Sequence, residues 1–174
     1  SMLPYLPSRS HPSRPFTAHN SLLAVPHRAV HPCYDDRMDQ VITPAMWCDG
    51  TADEAAQFYT DVFRDTSIAE QAPGIVTTVS IHGFRLSLIN GGNQYAPNPS
   101  ISCILNFDPL LFGSEEQART YLDELYEQLS AGGVLMELGE YPFSQRYAWV
   151  RDRFGMTWQL MLTDPAGEPR PFIL

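Results

Sequence analysis

The feature that most constrains this chain is an order of elements that occurs twice. From Val41 to Trp47 an apolar run predicts a strand, after which Asp49-Gly50 turns the chain into a helix opened by Thr51 and Glu54, the spacing of a capping box. Ala55, Tyr59, Val62 and Phe63 give that helix an apolar stripe. Three strands are predicted next, near Ser67 to Glu70, Val76 to Ile81 and Phe84 to Asn90, the last two joined through His82-Gly83. The same order then returns. Ile101 to Phe107 predicts a strand, and Ser114 with Gln117 forms a second capping box. A helix follows with Ala118, Tyr121, Leu122, Leu125 and Leu129 on one face, stopped by Gly132-Gly133. Strands near Val134 to Leu138, Tyr147 to Val150 and Thr157 to Leu162 close the pattern, the last two linked through Arg153-Phe154-Gly155. A unit recurring about every sixty residues is an internal repeat. It predicts an α+β fold of paired βαβββ modules, about 41–92 and 100–163. The alternative is a single α+β sandwich of the ferredoxin-like kind.

Residues 1–37 are rich in Pro, Ser and His and carry neither period, so they are set apart as an N-terminal extension from a domain over 38–174. Ser1-Met2 has the look of a tag scar, and Met38 stands where the compact domain begins. No apolar run is long enough to span a bilayer and no leader pattern is visible, so a cytoplasmic protein without membrane contact is expected. Cys33, Cys48 and Cys103 are odd in number and show no C-x-x-C spacing, which predicts buried thiols in place of a disulfide framework or zinc site. The formal charge of −9 argues against nucleic acid as a partner and suits a neutral or cationic ligand. All eleven basic residues are Arg, which removes Schiff-base chemistry and the phosphate-loop lysine from consideration. Four of five histidines, His11, His19, His27 and His31, fall in the extension. Only His82 is left in the body, at a turn where an exposed polar residue is expected.

The stretch from Ile42 to Tyr59, with Thr43-Pro44-Ala45-Met46-Trp47-Cys48-Asp49-Gly50 at its heart, resembles the opening of the PhnB-like branch of the vicinal oxygen chelate superfamily, which includes glyoxalases, bleomycin-resistance proteins and dioxygenases. Leu88-Ile89-Asn90-Gly91-Gly92 and the run from Trp149 to Gln159 are similar to two further blocks, in the same order. The resemblance frames residues 41–163. It implies paired βαβββ modules forming a cupped mixed sheet, a small organic ligand inside the cup, and a homodimer. Branch members often carry a demethylubiquinone methyltransferase label, but no strand, Gly-rich turn and helix of the methyl-donor kind is seen in the sequence. Metal-dependent relatives place His or Glu ligands at four positions that correspond to Pro44, Ser87, Ser102 and Gln159. None of these residues offers the imidazole, thiolate or carboxylate that a divalent ion seeks, and no metal or other cofactor is expected.

Strand alternation sorts side chains between helices and cup. Trp158, Leu160 and Leu162 are expected under the helices, and Thr157, Gln159 and Met161 toward the cup, with Ser87, Ile89, Ser102, Ile104 and Asn106 alongside. Trp47, Tyr147 and Trp149 lie near strand ends, where rings either stack on a ligand or pack. Arg146, Arg151 and Arg153 are expected to be surface groups, and the acids at the helix starts to serve the helix dipole. The candidate ligand-binding residues are therefore Ser87, Ser102, Asn106, Gln159, Trp47 and Trp149. The expectation is a small-molecule binding protein that sequesters a toxic or cationic compound. One alternative is a glyoxalase- or dioxygenase-type enzyme with a non-standard site, either a metal-dependent lyase or dioxygenase using unusual ligands or a metal-free isomerase or lyase polarising its substrate through Gln159 and Ser87. Another is an interaction module whose N-terminal extension swaps onto a partner.

Overall fold

A computed structural model describes residues 40–163. The extension, with Cys33 and its four histidines, lies outside the described residues. The first module runs β1 (Ala45–Cys48), α1 (Ala52–Val62), β2 (Thr66–Ala72), β3 (Val76–Ile81) and β4 (Phe84–Asn90). The second runs β5 (Cys103–Phe107), α2 (Glu115–Leu129), β6 (Gly133–Tyr141), β7 (Ser144–Arg151) and β8 (Thr157–Leu162). Hydrogen bonding resolves two four-stranded sheets with the same permutation, β1-β4-β3-β2 and β5-β8-β7-β6. In each, the first strand pairs parallel with the last and the rest are antiparallel. This is the glyoxalase/bleomycin-resistance-like α+β architecture, with each helix covering one face of its own sheet.

The first strand of each module starts later than its apolar pattern suggests. Val41 and Ile42 are 96% and 83% exposed, and Ile101 is 76% exposed. At β1 the cause is Pro44, which has no N–H for a ladder. The Gln40 side chain takes over instead, donating to the Arg85 carbonyl (2.9 Å) and accepting the Arg85 N–H (2.7 Å) beside β4. The capping boxes also part company. Ser114 accepts the Gln117 N–H as expected. Thr51 makes no side-chain cap, and the Ala52 N–H is received by Asn90 Oδ1 at 2.9 Å, from the end of β4. A tertiary partner thus replaces the local one.

The helix-covered faces meet in one core. Tyr59 and Phe63 of α1 pack on Trp158 of β8, with centroids 5.5 and 4.9 Å apart, so the first module's helix touches the second module's last strand. At this junction lies Asp152, 1% exposed. It receives Tyr59 Oη and Trp158 Nε1, both at 2.8 Å, and the N–H groups of Phe154 and Met156 at 2.9 and 3.0 Å. Burial pushes its carboxyl above the ordinary value, against the pull of these four donors. Among the described residues no helix is long and apolar enough to cross a membrane.

Candidate ligand-binding site

The register of the second sheet fixes which side chains share its helix-free face. Trp149 pairs with Gln159, Tyr147 with Met161, Ile104 with Gln159 and Asn106 with Met161. Their sequence neighbours Ala148, Val150, Trp158, Leu160 and Leu162 are buried in the core, as period-two alternation requires. Thr157 differs from the expectation: it shares the parity of Gln159 but is buried, its hydroxyl donating to the Ile101 carbonyl at 3.0 Å.

Three polar side chains form a line across this face. Tyr147 Oη donates to Gln159 Oε1 at 2.8 Å, and Gln159 Nε2 donates to Ser102 Oγ at 2.6 Å. Burial pushes the Tyr147 phenol above its ordinary value, so it keeps its proton and acts as a donor at neutral pH. Tyr147 is held in place by Tyr141 and Phe143, whose rings lie 5.5 and 4.9 Å away edge-on. Beside Gln159, the indole Nε1 of Trp149 is shut off from solvent and has no hydrogen-bond partner among the described residues.

Ser102, at the far end of the line, also lines a cavity of about 650 Å³. One wall is Ser102 with β5, which follows it; the other is the β3–β4 turn with Ile81, His82 and Phe84, while Leu111 and Phe112 close an end. Its lining is chiefly apolar. His82 does occupy an exposed turn, at φ 49°, but its ring is engaged. Nε2 lies 3.1 Å from Tyr121 Oη on α2, Nδ1 is 3.9 Å from Asp65, and the Phe112 ring stands edge-on. Burial holds this imidazole below its ordinary value.

The six residues singled out from the sequence fall into two groups. Ser102, Asn106, Trp149 and Gln159 lie together on the second sheet. Ser87 and Trp47 lie on the corresponding face of the first, where Ala45 pairs with Ser87 and Trp47 with Ile89. Ser87 is matched with Thr78, Oγ to Oγ1 at 2.9 Å, and Trp47 Nε1 donates to the Gly92 carbonyl at 2.9 Å. Sequence reasoning set Tyr147 among the aromatic candidates without its role. It had no signal for Asp152.

The four positions set against the metal ligands of dependent relatives, Pro44, Ser87, Ser102 and Gln159, make bonds of their own. Ser102 and Gln159 are bonded to each other, Ser87 to Thr78, and the Pro44 carbonyl accepts the Ser87 N–H. Cys103, the neighbouring thiol, is pushed up by burial and stays protonated at neutral pH. Among the described residues no three His, Cys, Asp or Glu side chains gather.

The sequence profile of the family described as 3-demethylubiquinone-9 3-methyltransferase matches residues 40–161. Among solved structures, the chain is similar to a putative 3-demethylubiquinone-9 3-methyltransferase, a PhnB protein, from Bacillus cereus. Identity is 28%, the TM-score is 0.57, and the match covers 71% of this chain and 100% of that one. A protein from Pseudomonas aeruginosa matches at 20% identity and TM-score 0.53, over 70% and 96% of the two chains. A glyoxalase/bleomycin resistance protein/dioxygenase from Alicyclobacillus acidocaldarius matches at 12% identity and TM-score 0.51, over 71% and 91%. The last two bear on the fold alone. No curated protein matches the chain.

Proposed function

Since the chain belongs to the family described as 3-demethylubiquinone-9 3-methyltransferase, within the glyoxalase/bleomycin-resistance/dioxygenase superfamily, we propose that it binds a small organic molecule on the helix-free face of its second module. The supporting observation is the unpartnered Trp149 indole beside the line Tyr147–Gln159–Ser102. A buried donor without an acceptor costs about 1–3 kcal/mol. A ligand atom that accepts from it recovers that cost, and Ser102 carries the same polar line to the wall of the cavity.

The family's label is a methyl transfer, but the two strand-to-helix connections do not favour a methyl-donor site. They run Asp49-Gly50-Thr51 and from Asp108 to Ser114, neither Gly-rich, and the first N–H of α1 is already taken by Asn90. Binding, including sequestration of a harmful compound, therefore ranks ahead of catalysis. The proposed assembly is a homodimer, supported by the exposed Ile104, Leu110 and Leu111 beside β5, whose outer edge pairs with no strand among the described residues.

The test is a thermal-shift screen of aromatic metabolites and natural products, with Gln159→Leu as control. A ligand at about a hundred times its Kd adds roughly 2.7 kcal/mol to stability. At least one compound is expected to raise the Tm of the wild type and not of the variant. A screen in which nothing stabilises the wild type contradicts the proposal.

A further inference from the structure

The acidic composition points to a cationic ligand, but the hydrogens of the site point elsewhere. Tyr147 gives its hydrogen to Gln159, and Gln159 gives one to Ser102. The hydrogens in the line run the same way, so the Ser102 O–H and the second N–H of the Gln159 amide are left to donate outward. Trp149 Nε1 is a donor with no accepting capacity at all, and it is buried without a partner among the described residues. On β5, β7 and β8 the helix-free positions hold no carboxylate. Their one ion is Arg151, whose Nε donates to the Gly132 carbonyl. The carboxylate on the described cavity wall, Asp65, belongs to the first module and sits beside His82.

Resting on the binding reading above, we infer that the ligand is an uncharged, planar molecule bearing acceptor oxygens, of the aryl ketone or aryl ester class, that accepts from Trp149 Nε1 and Ser102 Oγ. Trp149 is the cross-strand neighbour of Gln159, which in turn faces Ile104, so the two donors stem from strands two spacings apart. Two strand spacings are about 10 Å and the two-residue offset of Ser102 from Ile104 adds about 7 Å along the strand, so the backbones lie about 12 Å apart, a span suited to a two-ring compound with an oxygen near each end. Ile104 and Met161 supply apolar surface between them. A cation would meet aromatic rings there but no carboxylate from β5, β7 or β8.

Three probes of similar size separate the possibilities: a naphthalene with an acetyl group at each end, its diethyl counterpart without the oxygens, and N-methylquinolinium. Each is titrated by calorimetry into the full chain, the Trp149→Phe variant, which keeps a ring without the N–H, and Ser102→Ala. The diacetyl compound is expected to bind most tightly. Each substitution should weaken it about three- to tenfold, the worth of one neutral hydrogen bond, and leave the diethyl compound unchanged. Binding of the diethyl compound or the cation as tight as that of the diacetyl compound, or diacetyl binding unmoved in both variants, overturns this assignment while leaving the site as a ligand pocket. Failure of all three probes to bind overturns this assignment, while the binding reading stands or falls on the wider thermal-shift screen.

Discussion

The two modules have the same strand order and the same pairing, yet their helix-free faces differ in how they spend polar groups. On the first sheet Ser87 is paired with Thr78, Arg85 with Glu70 at 2.7 Å, and Trp47 with the Gly92 carbonyl. On the second, the polar line ends in a hydroxyl with a hydrogen to give, and an indole N–H is buried unpaired. A repeated scaffold needs only one of its copies to carry a site. On the reading proposed above, the paired copy serves as a wall and the other copy has free energy to gain from a ligand.

The strongest way to break this comparison is to remove what joins the copies. Asp152→Ala strands the Tyr59 hydroxyl of the first module and the Trp158 indole of the second, together with two backbone N–H groups, in a site closed to water. Chemical unfolding should show a loss of about 3 kcal/mol or more. Asp152→Asn, which keeps the shape and one acceptor oxygen, should lose less. Equal unfolding midpoints for Asp152→Ala and wild type would remove Asp152 as the joint.

A smaller effect is expected from Gly91→Ala. A Cβ at this position falls inside the Trp47 indole, so the ring must leave its place over the loop and lose its bond to Gly92. Overpacking of this kind costs about 1–3 kcal/mol. Thermal unfolding should register it, and tryptophan fluorescence should report the displaced ring.

The pair Trp47→Phe and Trp149→Phe sharpens the contrast directly. The first removes a satisfied donor and should cost about 1 kcal/mol; the second removes an unsatisfied one and should leave unliganded stability unchanged or raised. Matching losses in urea denaturation would mean that the two faces do not differ in this respect.

The smallest expected effect is one of pH at His82. Burial, the leading influence, and Arg64 hold its imidazole below the ordinary value, against the opposing pull of Asp65. The unfolded chain therefore takes up the proton first. The stability from this group is fully present above about pH 6.5 and fades as pH falls through the lower folded value. His82→Asn, a residue that tolerates the positive φ, should flatten that part of the urea-midpoint profile.

Much of the fold was legible because its signal is local. Alternation and helical stripes gave the element order, and alternation set Gln159 and Ile104 opposite Trp158 and Leu160. Two kinds of information were not local. Val41, Ile42 and Ile101 are apolar and sit beside strands, and only the missing N–H of Pro44 and the intervening Gln40 side chain explain why β1 is short. Asp152 stands between two arginines, a setting typical of a surface turn, and nothing near it in sequence announces Tyr59 as its partner. The same holds for His82, whose partner Tyr121 comes from the other module. At the site, Ser102 and Gln159 could be named by parity, but the direction of hydrogen donation from Tyr147 onward needed coordinates.

The most direct measurement is the indole N–H spectrum of the ¹⁵N-labelled protein, whose three tryptophan signals the single Trp→Phe variants assign. On titration with the diacetyl naphthalene, the Trp149 signal should move downfield to saturation as its hydrogen gains an acceptor, while Trp47, already bonded to Gly92, stays in place. A Trp149 signal that holds still while Trp47 shifts, or a free-state Trp149 resonance already at a hydrogen-bonded position, would contradict the assignment of the site to the second module.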